Sequence, residues 1–270
     1  MNPAGAKVLL TGAGSGIGLA TATRLARAGA TLALVGRDPE RLQKAAEAVA
    51  RAGAKAHAFV FDLAADGAHA ELVAAAHGTL GGLDLLVNNA GISSFCGLVE
   101  EDPARIERIL RTNLLAPMLL ARAALPGMIK QRSGRIVNVG SVYGSIGFAY
   151  FSAYSASKFG LRGFSEALRR EIADTGVGVT YVAPRGVRTA MNPAIVYRMS
   201  EQLKASFDPP EVVAEAIAHA IERDRAEVFV GQPEGFFARL NAVLPRLVDG
   251  ALRKQNRIAG SFASPSAAEG

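Results

Sequence analysis

Cysteine, long apolar runs and a leading charged segment are scarce or missing in this sequence. The 270 residues include one cysteine, Cys96, which excludes an internal disulfide and a cysteine-rich metal site, and we predict no bound metal. Apolar runs such as LLAPMLLA (114–121) are far shorter than the roughly 20 residues that a membrane span needs. Because no positively charged segment followed by an apolar core opens the chain, we expect no secretory signal and a cytoplasmic location.

Clustered positive charge is missing as well, although the net charge is +6. Nucleic-acid-binding domains concentrate lysine and arginine on one face. Here the arginines are scattered along the chain, so we expect no nucleic-acid partner. We attribute the positive balance to a solvated surface that also attracts an anionic cofactor.

The sequence does contain a regular alternation of short apolar runs and helical patterns. One such pattern, DPERLQKAAEAVARAG (38–53), begins on aspartate followed by proline and ends on glycine, as helices commonly do. This alternation predicts an α/β fold, a doubly wound parallel sheet with helices on both faces, in a single domain. The runs that predict buried strands are KVLLTG (7–12), TLALVG (31–36), AHAFVFD (56–62), LDLLVNNAG (83–91), GRIVNVGS (134–141), VGVTYVAP (177–184) and AEVFVG (226–231).

A glycine-rich loop, TGAGSGIG (11–18), follows the first predicted strand and precedes a helical pattern. Its four glycines allow a tight turn and a close approach of the backbone to a phosphate. The N-terminus of the next helix offers free N–H groups and a positive dipole. This context is that of a dinucleotide site, although a purely structural glycine-rich turn is an alternative for the motif taken alone.

Tyr154 stands four residues before Lys158 in FSAYSASKFG (151–160), so the two share one face of a predicted helix. The spacing alone leaves two interpretations, a reactive pair or a packed tyrosine beside a lysine that reaches to water. Free tyrosine has a pKa near 10 and is a poor acid–base catalyst at neutral pH. A neighbouring ammonium favours its phenolate.

The glycine spacing, NNAG (88–91), Ser141, Tyr154 and Lys158 follow one another in an order that resembles the classical short-chain dehydrogenase/reductase family over roughly residues 6–190. Together these motifs are far more specific than any one of them, and they favour the reactive interpretation of the tyrosine–lysine pair. The resemblance implies a Rossmann-like fold and an enzyme that transfers a hydride between a nicotinamide cofactor and a carbonyl or secondary alcohol.

The same resemblance implies a catalytic set of four residues. Tyr154 would protonate the carbonyl oxygen in reduction, or take the hydroxyl proton in oxidation, while Ser141 hydrogen-bonds that oxygen. Lys158 would favour the phenolate and bind the nicotinamide ribose. Asn113 would anchor a water that passes protons onward from Lys158.

Cofactor contacts are also implied by resemblance. Asp62 and Leu63, at the end of the third strand, would meet the adenine, and Asn89 would line the ribose unless NN merely closes a strand. The implied cofactor-binding residues are Gly12, Ser15, Gly16, Ile17, Gly18, Arg37, Asp62, Leu63, Asn89, Ala90, Gly91, Tyr154, Lys158, Val187 and Thr189.

The end of the second strand, VGRD (35–38), bears on the choice of cofactor. NAD-linked relatives usually carry an acidic residue where Gly36 stands, and here Arg37 follows instead. A guanidinium suits a 2′-phosphate, and glycine leaves room for it. We therefore predict NADP(H), with NAD(H) as the alternative if Arg37 is only a solvated loop residue.

Two residues near these motifs have no assigned role. Arg185, in APRGVRTAM (183–191), replaces the glycine that the family usually has, and its function is open. Tyr143, two residues after Ser141, could line the substrate cleft, but we expect a packed or half-exposed tyrosine.

The C-terminal third determines the domain boundaries that we predict. A catalytic domain spans residues 1–252, with a substrate lid at 190–222 whose apolar side chains either favour a lipophilic substrate or cover the core. An amphipathic helix spans 234–252, and Pro245 must kink or restart it. Such a helix could rest on an anionic membrane surface, but it more often packs on its own domain or a sister subunit. Residues 253–270 are predicted to be a disordered tail.

The leading hypothesis is an NADP(H)-dependent oxidoreductase for a lipophilic carbonyl or alcohol. An NAD-linked alcohol or hydroxysteroid-type dehydrogenase is the main alternative. A non-catalytic NADP(H)-sensing protein ranks lower because the tyrosine and lysine are intact. We also expect a homodimer or homotetramer that pairs the long helices at 102–130 and 152–174.

Overall fold

Seven parallel strands form one sheet in the computed structural model, which describes residues 1–263. In chain order the strands are β1 (Lys7–Thr11), β2 (Thr31–Gly36), β3 (Ala56–Val60), β4 (Leu85–Asn88), β5 (Gly134–Val139), β6 (Val177–Pro184) and β7 (Glu227–Val230). Across the sheet their order is β3-β2-β1-β4-β5-β6-β7, and each neighbouring pair is parallel. The predicted α/β fold is therefore confirmed.

Helices cover both faces of this sheet. They are α1 (Gly16–Arg27), α2 (Pro39–Arg51), α3 (His69–Leu80), α4 (Pro103–Leu110), α5 (Ala116–Lys130), α6 (Ser152–Glu171), α7 (Ala194–Gln202), α8 (Pro210–Glu222), α9 (Glu234–Val243) and α10 (Pro245–Ala263). A π-helical turn, Arg111–Leu115, joins α4 to α5, and a short 3₁₀ turn, Val142–Gly144, follows β5.

Successive residues of β1 show how the core is divided between the two faces. Val8 and Leu10 belong to the apolar cluster under α1, α2 and α8, whereas Leu9 belongs to the cluster under α3 and α5. All three side chains are fully buried. A parallel strand covered on both sides needs apolar residues at every position, which explains the unbroken apolar runs in the sequence.

The strand order places a crevice at the centre of the sheet. β2 and β3 lie on one side of β1, and β4 to β7 lie on the other. Connections that leave β1 and β4 therefore run to opposite sides, and a cleft opens outside the carboxyl ends of these strands. The glycine-rich loop after β1 and the NNAG segment after β4 meet there.

β3 differs from the buried strand that we predicted. It lies at the edge of the sheet, pairs with β2 alone among the described strands, and leaves Val60 59% exposed. β7, at the opposite edge, is also only partly buried. An apolar run does not reveal which strands will occupy the edges, because that depends on the order of the whole sheet.

Only part of the predicted lid segment, 190–222, lies beside the cleft. α8 falls within that segment, but its Val213, Ile217 and Ile221 are fully buried in the main core cluster. Burying three such side chains stabilises the domain by about 1.5–3 kcal/mol each. α8 is therefore part of the sheet's covering layer, and only α7 and its flanking loops remain near the cleft.

The predicted tail also differs from the structure. Pro245 begins a new helix, α10, since proline fits the first turn of a helix. Residues 253–263 are the last turns of that helix rather than a disordered segment, because Ala259 is fully buried against an aromatic and apolar cluster that includes Phe151 and Val196. The rest of the predicted tail, 264–270, lies outside the described residues.

One helical segment passes a length and composition test for a membrane span, contrary to the sequence expectation. α4, the π-helical turn and α5 join into a helix of 28 residues, Pro103–Lys130. Core helices pass the same test, and Leu120, Ala124 and Met128 of α5 are buried in the sheet's second apolar cluster. Leu110, Leu115 and Met118, on the other side of the segment, are exposed.

Candidate active site

The crevice at the carboxyl ends of the strands opens into a cavity of about 1590 Å³. Its wall brings together residues that are far apart in the sequence, from the glycine-rich loop to α10. Among the residues proposed from the sequence, Gly18 and Asn113 lie behind this wall. Those that line it are Gly12, Ser15, Gly16, Ile17, Arg37, Asp62, Leu63, Asn89, Ala90, Gly91, Ser141, Tyr154, Lys158, Val187 and Thr189.

The glycine-rich loop forms a cradle of bare backbone at the start of α1. Gly12 and Gly16 have positive φ angles of 66° and 52°, which only glycine adopts without strain. A Cβ atom on Gly16 would lie 2.9 Å from Cγ2 of Thr189, so the loop after β6 closes directly onto the cradle. No acidic residue occupies the first turn of α1. Free N–H groups and a positive dipole without a competing carboxylate fit the pyrophosphate of a dinucleotide.

Asn89 fastens this cradle to the end of β4. Its Nδ2 donates to the carbonyl oxygens of Thr11, at 3.0 Å, and Gly12, at 3.2 Å. In return, Oγ1 of Thr11 accepts from the backbone N–H groups of Asn89 and Ala90, at 3.0 and 3.1 Å. The NNAG segment therefore has a structural role in holding the loop, whether or not it also meets a ribose.

The far end of the cavity carries a group of charges. Oδ2 of Asp62 pairs with Nη2 of Arg108 at 2.8 Å, and Oδ1 accepts from the backbone N–H of Ala64. Burial opposes ionisation of Asp62, but the Ala64 amide, Arg108 and Arg37 outweigh it and hold the pKa of the carboxyl below its ordinary value. Arg37 is exposed at the cavity wall and forms no hydrogen bond or ion pair with any residue in 1–263.

Tyr154 and Lys158 lie on successive turns of α6. Lys158 is buried, and its Nζ donates to the carbonyl oxygen of Val139 at 2.9 Å and lies 5.7 Å from the centre of the Tyr154 ring. Burial lowers the pKa of Lys158 to about 8. Burial raises the pKa of Tyr154 to about 12, although a hydrogen bond with Ser141 by itself lowers this pKa.

Asn113 lies in the π-helical turn between α4 and α5, behind the cavity wall. Its Nδ2 donates to the carbonyl oxygen of Ile92 at 2.9 Å and to Oγ of Ser157 at 3.0 Å, and its Oδ1 accepts from the N–H of Ile92 at 2.9 Å. These bonds connect the segment after β4 to α6, one residue before Lys158. π-helical turns frequently occur at functional sites.

Tyr181 supports the site from β6, and the sequence contains no signal for this role. Its hydroxyl donates to the carbonyl oxygen of Ser141 at 3.2 Å and accepts from the N–H of the same residue at 3.4 Å. Gly140 has no side chain to displace the ring, which occupies the space that a Cβ there would need. In the sequence Tyr181 is one more large residue in a buried strand.

Arg185 anchors the loop after β6. Its Nε and Nη2 bind both carboxylate oxygens of Asp208, at 2.9 and 2.8 Å, and its Nη1 donates to the carbonyl oxygen of Gln232 at 3.0 Å. Val187 forms a β-bridge with Asp208 beside this pair. A bidentate, partly buried pair is a strong and specific contact. The arginine thus joins the loop after α7 to the ends of β6 and β7.

The remaining wall of the cavity is mostly apolar and aromatic. Tyr143 stacks on Phe148, with 5.4 Å between the ring centres, and its ring edge meets Tyr154 at 6.2 Å. It therefore lines the cleft, and it is also packed and half-buried, as the sequence favoured. Other apolar side chains of this wall include Phe151, Val196, Met199, Leu203, Phe237, Leu240, Leu247, Val248 and Leu252.

No group of three or more His, Cys, Asp or Glu side chains within residues 1–263 is placed to hold a metal ion. The polar side chains that line the cavity are instead hydroxyls, carboxamides, guanidinium groups, two ammonium groups and two separate carboxylates. Such a set can bind an anionic dinucleotide and exchange a proton with a substrate oxygen.

Comparisons with known proteins agree with this architecture. The profile of the short chain dehydrogenase family matches residues 6–199. The ketoacyl reductase HetN of Nostoc sp. is 40% identical over 228 residues, which are 84% of this chain and 79% of that protein. The chain therefore belongs to the short-chain dehydrogenase/reductase family, whose members are oxidoreductases of carbonyl and alcohol groups.

Solved structures show the same fold. A metagenomic short-chain oxidoreductase in complex with NADP is 33% identical, with a TM-score of 0.73 over 84% of this chain and 98% of that chain. A short chain dehydrogenase/reductase from Burkholderia phymatum in complex with NAD has a TM-score of 0.83 over 92% of this chain and 96% of that chain. At 24% identity the second likeness concerns the fold alone.

Proposed function

We propose that this protein is an NADP(H)-dependent reductase of lipophilic ketones. The observation that carries the proposal is that Tyr154, Ser141 and Lys158 share one cavity with the glycine cradle and Arg37, while the rest of the wall is apolar. A reacting carbonyl at the tyrosine would thus have the phosphate cradle on one side and an apolar cleft on the other. Pockets of this kind bind apolar ligands and orient them with a few polar groups.

Tyr154 is assigned the proton transfer. Its pKa of about 12 keeps the phenol protonated at neutral pH, so it can donate to the oxygen of a carbonyl during reduction. Ser141 donates a hydrogen bond to the same oxygen, which positions the substrate and stabilises the charge that develops there. Lys158, as the ammonium, stabilises the phenolate that remains. The cofactor, when bound, supplies the hydride.

NADP(H) is favoured by the surroundings of Arg37. The guanidinium stands at the cavity wall without a hydrogen bond or ion pair to any described residue, so it is available to a 2′-phosphate. Gly36, before it, contributes no carboxylate for the hydroxyls of an unphosphorylated ribose. The relative solved with NADP supports the same choice.

The substrate class is assigned from the cavity and from one relative. The wall around Tyr154 carries Tyr143, Phe148 and Phe151, and α7 and α10 close it with aliphatic side chains. A relative named as a ketoacyl reductase is 40% identical. We therefore choose 3-oxoacyl chains as the first class of lipophilic ketone to test.

A homodimer is proposed through α4, α5 and α6. Leu110, Leu115, Met118 and Phe159 on these helices are all more than a third exposed. A shallow groove between α4 and α5 has almost entirely apolar walls. Because a second copy would remove these side chains from water, assembly through this face is expected.

The function is tested by following NADPH oxidation with a panel of carbonyl compounds. The panel contains 3-oxoacyl thioesters and 2-alkanones of increasing chain length, together with small polar aldehydes. We expect kcat/KM to rise with chain length as more of the apolar wall is covered. Turnover restricted to small polar carbonyls, or none with any ketone, would contradict the proposal.

A further inference from the structure

A group of large apolar side chains is exposed where α9 meets α10. We call this surface, made of Phe236, Phe237, Val243, Leu244 and Leu247, the α9–α10 corner. Each of the five is between 42% and 76% exposed. Single exposed apolar residues are ordinary, but several within two turns of consecutive helices mark a site of interaction. The sequence predicted that this stripe packs on its own domain or on a sister subunit, and these five side chains remain largely exposed on their own domain.

Positive charge surrounds the corner. Along α10 the exposed charged residues comprise four cations and one anion, Asp249. At 100° per residue, Arg253 and Arg257 lie opposite the buried positions Val248 and Ala259, so they point away from the domain. The four cations are Arg246, Arg253, Lys254 and Arg257. Apolar side chains flanked by lysine and arginine are the composition of helices that lie on anionic membranes.

A second copy of the chain fits this surface less well. A twofold contact places the same patch on both sides of the interface. The interface would then bring together four cations from each copy, with only one aspartate from each copy on α10 to offset them. An anionic lipid surface removes the same apolar side chains from water and gains from every cation.

The corner is continuous with the cavity. Phe237 and Leu247 belong to both, and Leu240 and Val248, on the same two helices, also line the cavity. A lipophilic molecule dissolved in a bilayer could therefore pass from the lipid surface to the cleft along apolar side chains. This route suits the proposed substrate class, but the charge and exposure of the corner do not depend on it.

We infer that the α9–α10 corner docks the protein on the surface of anionic lipid bilayers, with its apolar side chains in the headgroup boundary and the cations of α10 against the lipid phosphates. The protein lies on the membrane by this corner. The contact is peripheral and reversible, because neither α9 nor α10 is long and apolar enough to cross a bilayer.

Co-sedimentation of the full-length protein with vesicles tests this inference. Vesicles of phosphatidylcholine alone are compared with vesicles that contain phosphatidylglycerol, at low and high salt. We expect binding to the anionic vesicles that weakens with salt, and little binding to the neutral ones. Replacing Arg253, Lys254 and Arg257 with glutamine should weaken the partition coefficient about a hundredfold.

The apolar contribution is tested with Phe236→Ser and Val243→Ser together, which should weaken binding at least about tenfold. Val60→Ser is the matched control, because Val60 is equally exposed on the opposite edge of the sheet; it should bind as the wild type does. Circular dichroism checks that each variant is folded. Equal binding to neutral vesicles, or equal losses in the control, would overturn the inference. The inference would also be overturned if the wild type bound no vesicles and instead formed a dimer that the serine variants dissociate.

Discussion

Nζ of Lys158 lies 5.7 Å from the centre of the Tyr154 ring and donates its hydrogen bond to the backbone of Val139. The end of β5 thus fixes the Lys158 side chain. Its ammonium group lies near the Tyr154 phenol, one helical turn away. Burial disfavours that charge, so the geometry that serves the chemistry costs folding stability.

Lys158→Met should reveal this cost in the pH dependence of unfolding. The folded pKa, about 8, is below the unfolded value of 10.5, so the unfolded state binds more protons between these pH values. Wild-type stability should therefore rise relative to the variant by up to about 3 kcal/mol between pH 8 and pH 10.5. Urea unfolding without cofactor at three pH values measures the difference. Parallel profiles for the two proteins would show that Lys158 is not desolvated as described.

Tyr181→Phe should reduce turnover through Ser141. The variant removes the hydroxyl that binds both the carbonyl oxygen and the N–H of Ser141. It leaves the ring in place beside Gly140. We expect kcat to fall about tenfold and the free energy of unfolding to fall by about 1 kcal/mol. Tyr197→Phe, which loses a tyrosine hydroxyl at Thr189 instead, serves as a comparison. If kcat of Tyr181→Phe equals that of the wild type, Ser141 does not need this support.

Arg37→Ala should weaken the preference for NADPH. One charge-assisted hydrogen bond to a 2′-phosphate contributes about 1.5–3 kcal/mol, which corresponds to a ten- to hundredfold loss of preference. Adding Gly36→Asp should reverse the preference or nearly so. A Cβ at Gly36 would approach Cδ2 of the buried Leu42 to 3.2 Å, so the double variant should also be less stable. Specificity constants for both cofactors measure the effect, and equal use of NADH by the wild type would refute the assignment of Arg37.

Arg185→Gly, which restores the residue usual in the family, should disturb substrate binding more than chemistry. It removes both hydrogen bonds to Asp208 and the one to Gln232, and thereby releases the loop after α7. We expect KM for a lipophilic ketone to rise about tenfold or more, with a smaller change in kcat. Asp208→Asn should act in the same direction. A combined variant whose KM effect equals the sum of the two separate effects would show that the pair does not act as a unit.

The central fold could be predicted because parallel strands and their helices leave a local signature. Asp38 accepts from the N–H of Arg41 and caps α2, as the aspartate–proline start indicated. The edge position of β3 could not be predicted in this way, because it follows from contacts between strands rather than from the residues of one strand. The same holds for α8, whose apolar face reads equally well as a lid or as a core helix.

Sequence motifs predict some residues of the candidate site and miss others. The glycine cradle, Asn89, Ser141, Tyr154 and Lys158 have characteristic spacings, and the structure brings them to one cavity or its rim. The Tyr181 hydroxyl and the Arg185–Asp208 pair depend on tertiary contacts over 40 and 23 residues. The apolar helix that includes Leu247, Val248 and Leu252 was predicted, but its place in the cavity wall depends on tertiary contacts that the sequence does not show.

Tyr154→Phe is the decisive test of the proposed proton transfer, since the change removes the phenol hydroxyl and leaves the ring. Turnover of a reactive ketone is measured beside NADPH binding by fluorescence titration, with Tyr150→Phe as a control outside the cavity wall. Loss of a positioned acid typically costs about 10²–10⁴-fold in rate. We predict a loss of this size for Tyr154→Phe with NADPH affinity within about twofold of the wild type, because the cradle is untouched. A Tyr154→Phe variant that keeps most of its turnover would contradict the assignment of Tyr154.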